Sequence, residues 1–204
     1  MISKLSDRLV KWLSNKGTIT ADEKTLFSYA AYSLLFGMAP VIITIVLGLL
    51  FDMLKEGLFM ILPFMLIRKF SGGYHLGSAK ICCILSTAVL LIAFFLMKMF
   101  ISLKTPYALL VLVLVATLCI MFLSPIDSSA RRLSTKEVRI FKAIAQMLSI
   151  LFCTIYIVLV LNEKGDYATP IGVGITIVAS LQLPCLWDHV IKQLRERKNT
   201  FTKT

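Results

Sequence analysis

The chain has 204 residues, of which 58% are hydrophobic and only 16% charged, with a mean hydropathy of +0.85 and a formal charge of +11. Soluble domains carry roughly 25% charged residues, so a soluble enzyme, a secreted disulfide scaffold and a disordered chain are excluded. The 22 Lys and Arg fall in short runs between long apolar stretches, which reads as an integral membrane protein facing anionic lipid and excludes a nucleic-acid binder.

Residues 2–13 place Ile2, Leu5, Leu9, Trp12 and Leu13 at helical spacing, with Lys4, Arg8 and Lys11 between them. That pattern predicts a basic amphipathic helix lying in the membrane interface; packing of the same face on the bundle would leave the same pattern. Asn15-Lys16-Gly17 is expected to end it, and no cleavable signal peptide is expected. Six apolar stretches follow: Leu26–Phe51, Gly57–Ile67, Ile81–Leu103, Pro106–Leu123, Ala143–Leu161 and Ala168–Trp187. The second is short for a crossing of about 20 residues, and Pro40, Pro63 and Pro184 interrupt three of the six.

With the N-terminus inside, 18 of the 22 cations fall on inner segments, leaving only Lys55, Lys98, Lys104 and Lys164 outside. The positive-inside rule therefore predicts six crossings with both termini cytoplasmic. The expected fold class is an all-α, polytopic membrane helix bundle of about six transmembrane segments with an N-terminal interfacial helix. A single domain is expected: an interfacial segment over 1–25, the bundle over 26–187 and a basic cytoplasmic tail over 188–204.

Cysteines stand at 82, 83, 119, 153 and 185 with no CxxC pair, so neither a metal site nor a disulfide framework is indicated, and no cofactor is called for. One polar constellation carries chemistry. Between the second and third stretches run Arg68, Lys69, Gly72, Gly73, His75, Gly77, Ser78, Lys80, Cys82 and Cys83. Polar groups at the edge of a bilayer core are costly, so the cluster marks a functional site, and its residue types suggest a thiol nucleophile served by an imidazole base.

On one continuous helix, His75 and Cys82 would be separated by about 10.5 Å of rise, too far for a hydrogen bond. Gly77 allows the chain to break and fold back, and Ser78 is placed to cap the third helix. The helix N-terminus and Lys80 would then favour the thiolate of a cysteine in the first turn. Gly72 and Gly73 supply turns and free amides for an oxyanion or a peptide backbone. By spacing alone, Cys83 rivals Cys82, and His75 could instead anchor a loop among headgroups.

At this stretch the chain resembles the AgrB family, the accessory gene regulator B peptidases of quorum sensing. The resemblance rests on Arg68, Gly72-Gly73, His75 and Cys82, and its His-to-Cys spacing selects Cys82 over Cys83. Ser124-Pro125-Ile126-Asp127 is similar to the family's Ala/Ser-Pro-x-Asp segment, whereas Tyr29-Ala30 and residues 128–133 depart from its pattern.

The resemblance implies a cysteine endopeptidase of the bacterial cell membrane acting on an AgrD-type propeptide. Cys82 would attack the bond that ends the future signal, with His75 as base, and the resulting thioester would pass the peptide to a thiolactone or lactone ring without metal or ATP. Asp127 is then the first candidate to orient His75, and Gln146 the second. Arg68 is a candidate to hold a substrate carboxylate, and Lys69, Arg131 and Arg132 to attract an acidic peptide tail. The resemblance also implies a homodimer, to which Gly172-Val173-Gly174 is too short a small-residue motif to add. The competing reading is a small peptide exporter without catalytic residues, which the Pro- and Gly-broken stretches would suit.

Overall fold

The computed structural model describes residues 8, 10–12, 14, 24–71, 79–125 and 135–201. The side chains of 25, 26, 29, 32–36, 79, 80, 82, 135 and 184–201 are not included in that description. All the regular structure among these residues is helical, as the periodicity predicts. The helices are α1 (Lys24–Leu50), α2 (Leu54–Ser71), α3 (Ala79–Leu103), α4 (Pro106–Leu123), α5 (Thr135–Leu161) and α6 (Gly165–Phe201). The chain forms two compact units, Met1–Ile43 and Thr44–Thr204.

In the first unit, the described residues of the N-terminal segment are helical, with Val10 buried and Arg8, Lys11 and Trp12 exposed. The expected stop at Asn15-Lys16-Gly17 lies outside the described residues. Pro40 sits inside α1, which runs on into the second unit.

Within the second unit, the α1–α2, α3–α4 and α5–α6 connections are tight and built alike. Each places one residue in the left-handed region: Asp52 at φ 55°, Lys104 at φ 50° and Glu163 at φ 60°. Each then folds an amide back onto the preceding helix: Met53 to the Gly48 carbonyl (2.8 Å), Thr105 to that of Phe100 (3.4 Å) and Lys164 to that of Leu159 (2.9 Å). This arrangement satisfies carbonyls that a helix C-terminus leaves open. Pro106 then starts α4 at a position that needs no amide donor. Gly48 is required at the first turn, because a Cβ there would lie 2.9 Å from the Leu54 Cα.

These three turns define one end of the bundle. At the opposite end, called the motif end below, lie the close of α2 at Ser71, the start of α3 at Ala79, the close of α4 at Leu123 and the start of α5 at Thr135.

α6 is the axis of the second unit and packs on α2, α3, α4 and α5. From Ala168 to Ala179 every side chain is buried except the half-exposed Thr176, as expected of a helix surrounded by others. Two glycines make this approach close. A Cβ on Gly172 would lie 2.6 Å from the Tyr156 ring of α5 and 3.0 Å from Leu109 of α4; one on Gly174 would lie 2.6 Å from the Met60 carbonyl oxygen and 2.9 Å from Pro63, both of α2. Gly172-Val173-Gly174 thus works inside the chain, where small residues let helices meet through backbone and ring contacts. Tyr156, itself fully buried, donates its hydroxyl to the Pro106 carbonyl at 2.6 Å and ties α5 to the start of α4.

Among the described residues, three helical segments are long and apolar enough to cross a bilayer: Cys83–Leu103, Pro106–Leu123 and Lys136–Leu161. Pro106–Leu123, with 18 residues, spans about 27 Å, close to the thickness of a hydrocarbon core. Their outward faces are apolar too: Ile84 and Ile92 on α3, Val111, Leu118 and Phe122 on α4, Met147 and Leu151 on α5 are all exposed. Apolar surface this continuous needs lipid as its solvent.

Some helix limits differ from those read along the chain. α5 starts at Thr135, so Lys136, Arg139 and Lys142 lie on its first two turns and not in a loop. α6 does not stop at Trp187 but carries on to Phe201 through the basic stretch. α2 extends beyond Gly57–Ile67 to 18 residues, since Lys55, Glu56, Arg68 and Lys69 are helix formers as well as charges.

Candidate functional site

Four contacts show what shares the motif end. Phe70 at the end of α2 meets Phe141 of α5 edge to face, with centroids 5.8 Å apart. Gln146 of α5 donates Nε2 to the Met121 carbonyl of α4 at 3.0 Å, and Ser149 donates to the Gln146 carbonyl at 3.0 Å. Gln182 of α6 donates Nε2 to Ser124 Oγ, just past α4, at 3.0 Å. α3 begins here too, because its far end is joined to α4 by the turn at Lys104.

Arg68 lies in the last turn of α2, half-buried, its guanidinium 5.5 Å over the Phe64 ring. A guanidinium within about 6 Å of an aromatic ring is drawn to the negative face of that ring. Lys69 is exposed, its ammonium 5.7 Å over the Phe70 ring. Ser71, fully buried, closes the helix.

Cys82 lies in the first turn of α3 by its backbone. Cys83 follows, half-buried, and its carbonyl accepts a hydrogen bond from the Thr87 hydroxyl at 2.9 Å. His75, Gly72, Gly73, Gly77, Ser78, Asp127, Arg131 and Arg132 lie outside the described residues, as do the side chains of Lys80 and Cys82. The structure thus places Arg68, Lys69 and the Cys82 backbone at one end of the bundle. Gln146, the second candidate to orient the histidine, spends its amide nitrogen on the α4 backbone.

Sequence reasoning passed over Gln182. Its signal was a lone amide within the apolar stretch Ala168–Trp187, where a polar side chain needs a reason to be. Ser124 was noticed only as part of a motif, yet it is buried and is the partner of that amide.

An all-helical bundle with an apolar exterior defines a helical membrane protein. Residues 6–183 match the family described as accessory gene regulator B, AgrB, and the chain belongs to that family. It is therefore a membrane protein of the quorum-sensing accessory gene regulator class. Among relatives, an AgrB-like protein 2 of Clostridium perfringens strain 13 is 27% identical over 184 residues, which is 86% of this chain and 86% of that protein. An AgrB-like protein of Clostridium perfringens strain SM101 is 25% identical over 193 residues, covering 91% of this chain and 90% of the relative. No solved structure matches the chain.

Proposed function

We propose that this protein is a membrane-embedded cysteine endopeptidase that removes the C-terminal tail of an AgrD-type propeptide. The observation that carries this reading is the placement of Arg68 in the last turn of α2 and Cys82 in the first turn of α3, flanking Gly72-Gly73 and His75, in a chain of the AgrB family.

His75 takes the Cys82 proton and the thiolate adds to the carbonyl carbon of the peptide bond. The Gly72-Gly73 amides are suited to receive the oxyanion. Collapse breaks the carbon–nitrogen bond, and the imidazolium returns its proton to the departing amine. The acyl group, now a thioester on Cys82, passes to a thiol or hydroxyl within the same peptide, which frees Cys82 and closes a thiolactone or lactone. Asp127 holds the imidazole in orientation. Arg68 takes a substrate carboxylate, while Lys69, Arg131 and Arg132 draw the acidic tail toward a cytoplasmic site.

In this reading the whole chain is one domain of six crossings, with both ends in the cytoplasm. The N-terminal helix lies on anionic lipid, and a second copy completes the unit. The exporter alternative drew on broken helices, but Gly172 and Gly174 are accounted for by packing within the bundle.

The test is cleavage of a synthetic AgrD-type propeptide by the purified chain in proteoliposomes. Removing a nucleophile costs on the order of 10⁴-fold or more, and removing a general base roughly 10²–10⁴-fold. Cys82→Ala and His75→Ala therefore abolish measurable cleavage, while Cys83→Ala largely keeps it. Full processing by Cys82→Ala would end the peptidase reading, and loss in Cys83→Ala alone would move the nucleophile.

A further inference from the structure

At the motif end, one buried polar atom has no partner among the described residues. Gln182 is 1% exposed, and while its Nε2 donates to Ser124 Oγ at 3.0 Å, its Oε1 has no partner among the described residues. An amide oxygen has two acceptor sites. Stripped of water and left without a donor, it destabilises the fold, whereas an apolar side chain of the same shape would not. The fold therefore holds an acceptor in readiness at the end of the bundle where the motif residues lie.

The chemistry of the missing donor follows from the setting. A cation brought to this depth would itself need to be paired. A neutral amide N–H matches the oxygen without adding charge. An extended peptide at a membrane site also carries backbone N–H groups that need acceptors, because water is scarce there.

The distance along the bundle can be bounded. One groove runs along α3 from Phe100 to Val89 and along α6 from Val173 to Ser180 and Leu181, so Val89 and Ser180 stand near its motif-end limit. Cys82 lies seven residues from Val89 toward the motif end, about 10.5 Å, and Gln182 two residues from Ser180 in the same direction, about 3 Å. The difference, about 7.5 Å, is the length of roughly two residues of extended chain.

We propose that Gln182 Oε1 accepts a backbone N–H of the propeptide strand two residues from the cleaved bond, with Ser124 holding the amide in orientation. This rests on the cysteine-peptidase reading and adds a specificity-determining residue to it. Because Gln182 is closed off, binding parts the ends of α4 and α6.

The experiment uses the full chain in proteoliposomes with a synthetic AgrD-type propeptide and a set of analogues. In each analogue, one amide N–H near the cleaved bond is replaced by an ester oxygen. On the wild-type protein, the ester two residues from that bond raises KM roughly five-fold, the weight of one neutral hydrogen bond. Gln182→Met raises KM for the all-amide peptide by a similar factor, changes kcat less, and no longer distinguishes the ester at that position. Such position-specific coupling is a readout that a structural role would not move. Gln182→Met also unfolds at no lower temperature than the wild type, because an orphaned polar group has been removed.

A Gln182→Met protein that keeps the wild-type ester pattern overturns the proposal. If that variant does not fold, the ester scan on the wild type decides by itself, and no penalty at the second residue overturns it. Cleavage by the wild type and its loss in Cys82→Ala, measured alongside, show whether the peptidase reading stands independently.

Discussion

Gly174→Ala tests the central packing of the bundle with the smallest perturbation available. The added Cβ would lie 2.6 Å from the Met60 carbonyl oxygen and 2.9 Å from Pro63 Cγ. Neither neighbour is a flexible side-chain end: one is helix backbone and the other a fixed ring, so relief requires α2 and α6 to move apart. Overpacking of this kind costs about 1–3 kcal/mol, and two rigid contacts put it near the upper figure. Exchanging Gly for Ala inside a helix returns about 1 kcal/mol. The net is a loss of about 2 kcal/mol, or roughly 4–8 °C in Tm for a chain of this size.

Gly37→Ala is the internal control. A Cβ there meets nothing within 4 Å, so only the propensity gain remains and Tm stays level or rises. The assay is thermal unfolding of both variants in one detergent, followed by thiol-reactive fluorescence and by loss of the monodisperse size-exclusion peak. A Gly174→Ala protein as stable as the wild type, or a Gly37→Ala protein less stable than Gly174→Ala, would refute the packing argument.

Two further outcomes are expected. Tyr156→Phe keeps the buried ring and removes only the bond to the Pro106 carbonyl, so it lowers Tm by about 2–4 °C for a loss of about 1 kcal/mol. No change would show that the bond contributes nothing. Under the proposed function, KM for a propeptide with an acidic tail rises with salt, and Arg131→Gln with Arg132→Gln flattens that dependence; an unaltered salt slope in the double variant would remove these two arginines from tail recognition.

The sequence by itself determined that the chain is helical and seated in lipid, because long apolar runs punctuated by charge admit little else. It also placed the chain in its family, through Arg68, Gly72-Gly73, His75 and Cys82. It could not determine which side of each helix faces inward. On α4, Leu109, Val113, Ala116 and Ile120 are buried while Val111, Leu114, Val115 and Leu118 are exposed, yet both sets are apolar. In water the polar face of a helix reveals its outside; in lipid the solvent is as apolar as the core, and that signal vanishes. Only the tertiary structure showed that α6 is the central helix, that its two glycines admit Tyr156 on one side and Pro63 on the other, and that Gln182 meets Ser124 across 58 residues of chain. Those pairings depend on how surfaces fit between distant segments, a property that no local pattern of residues records.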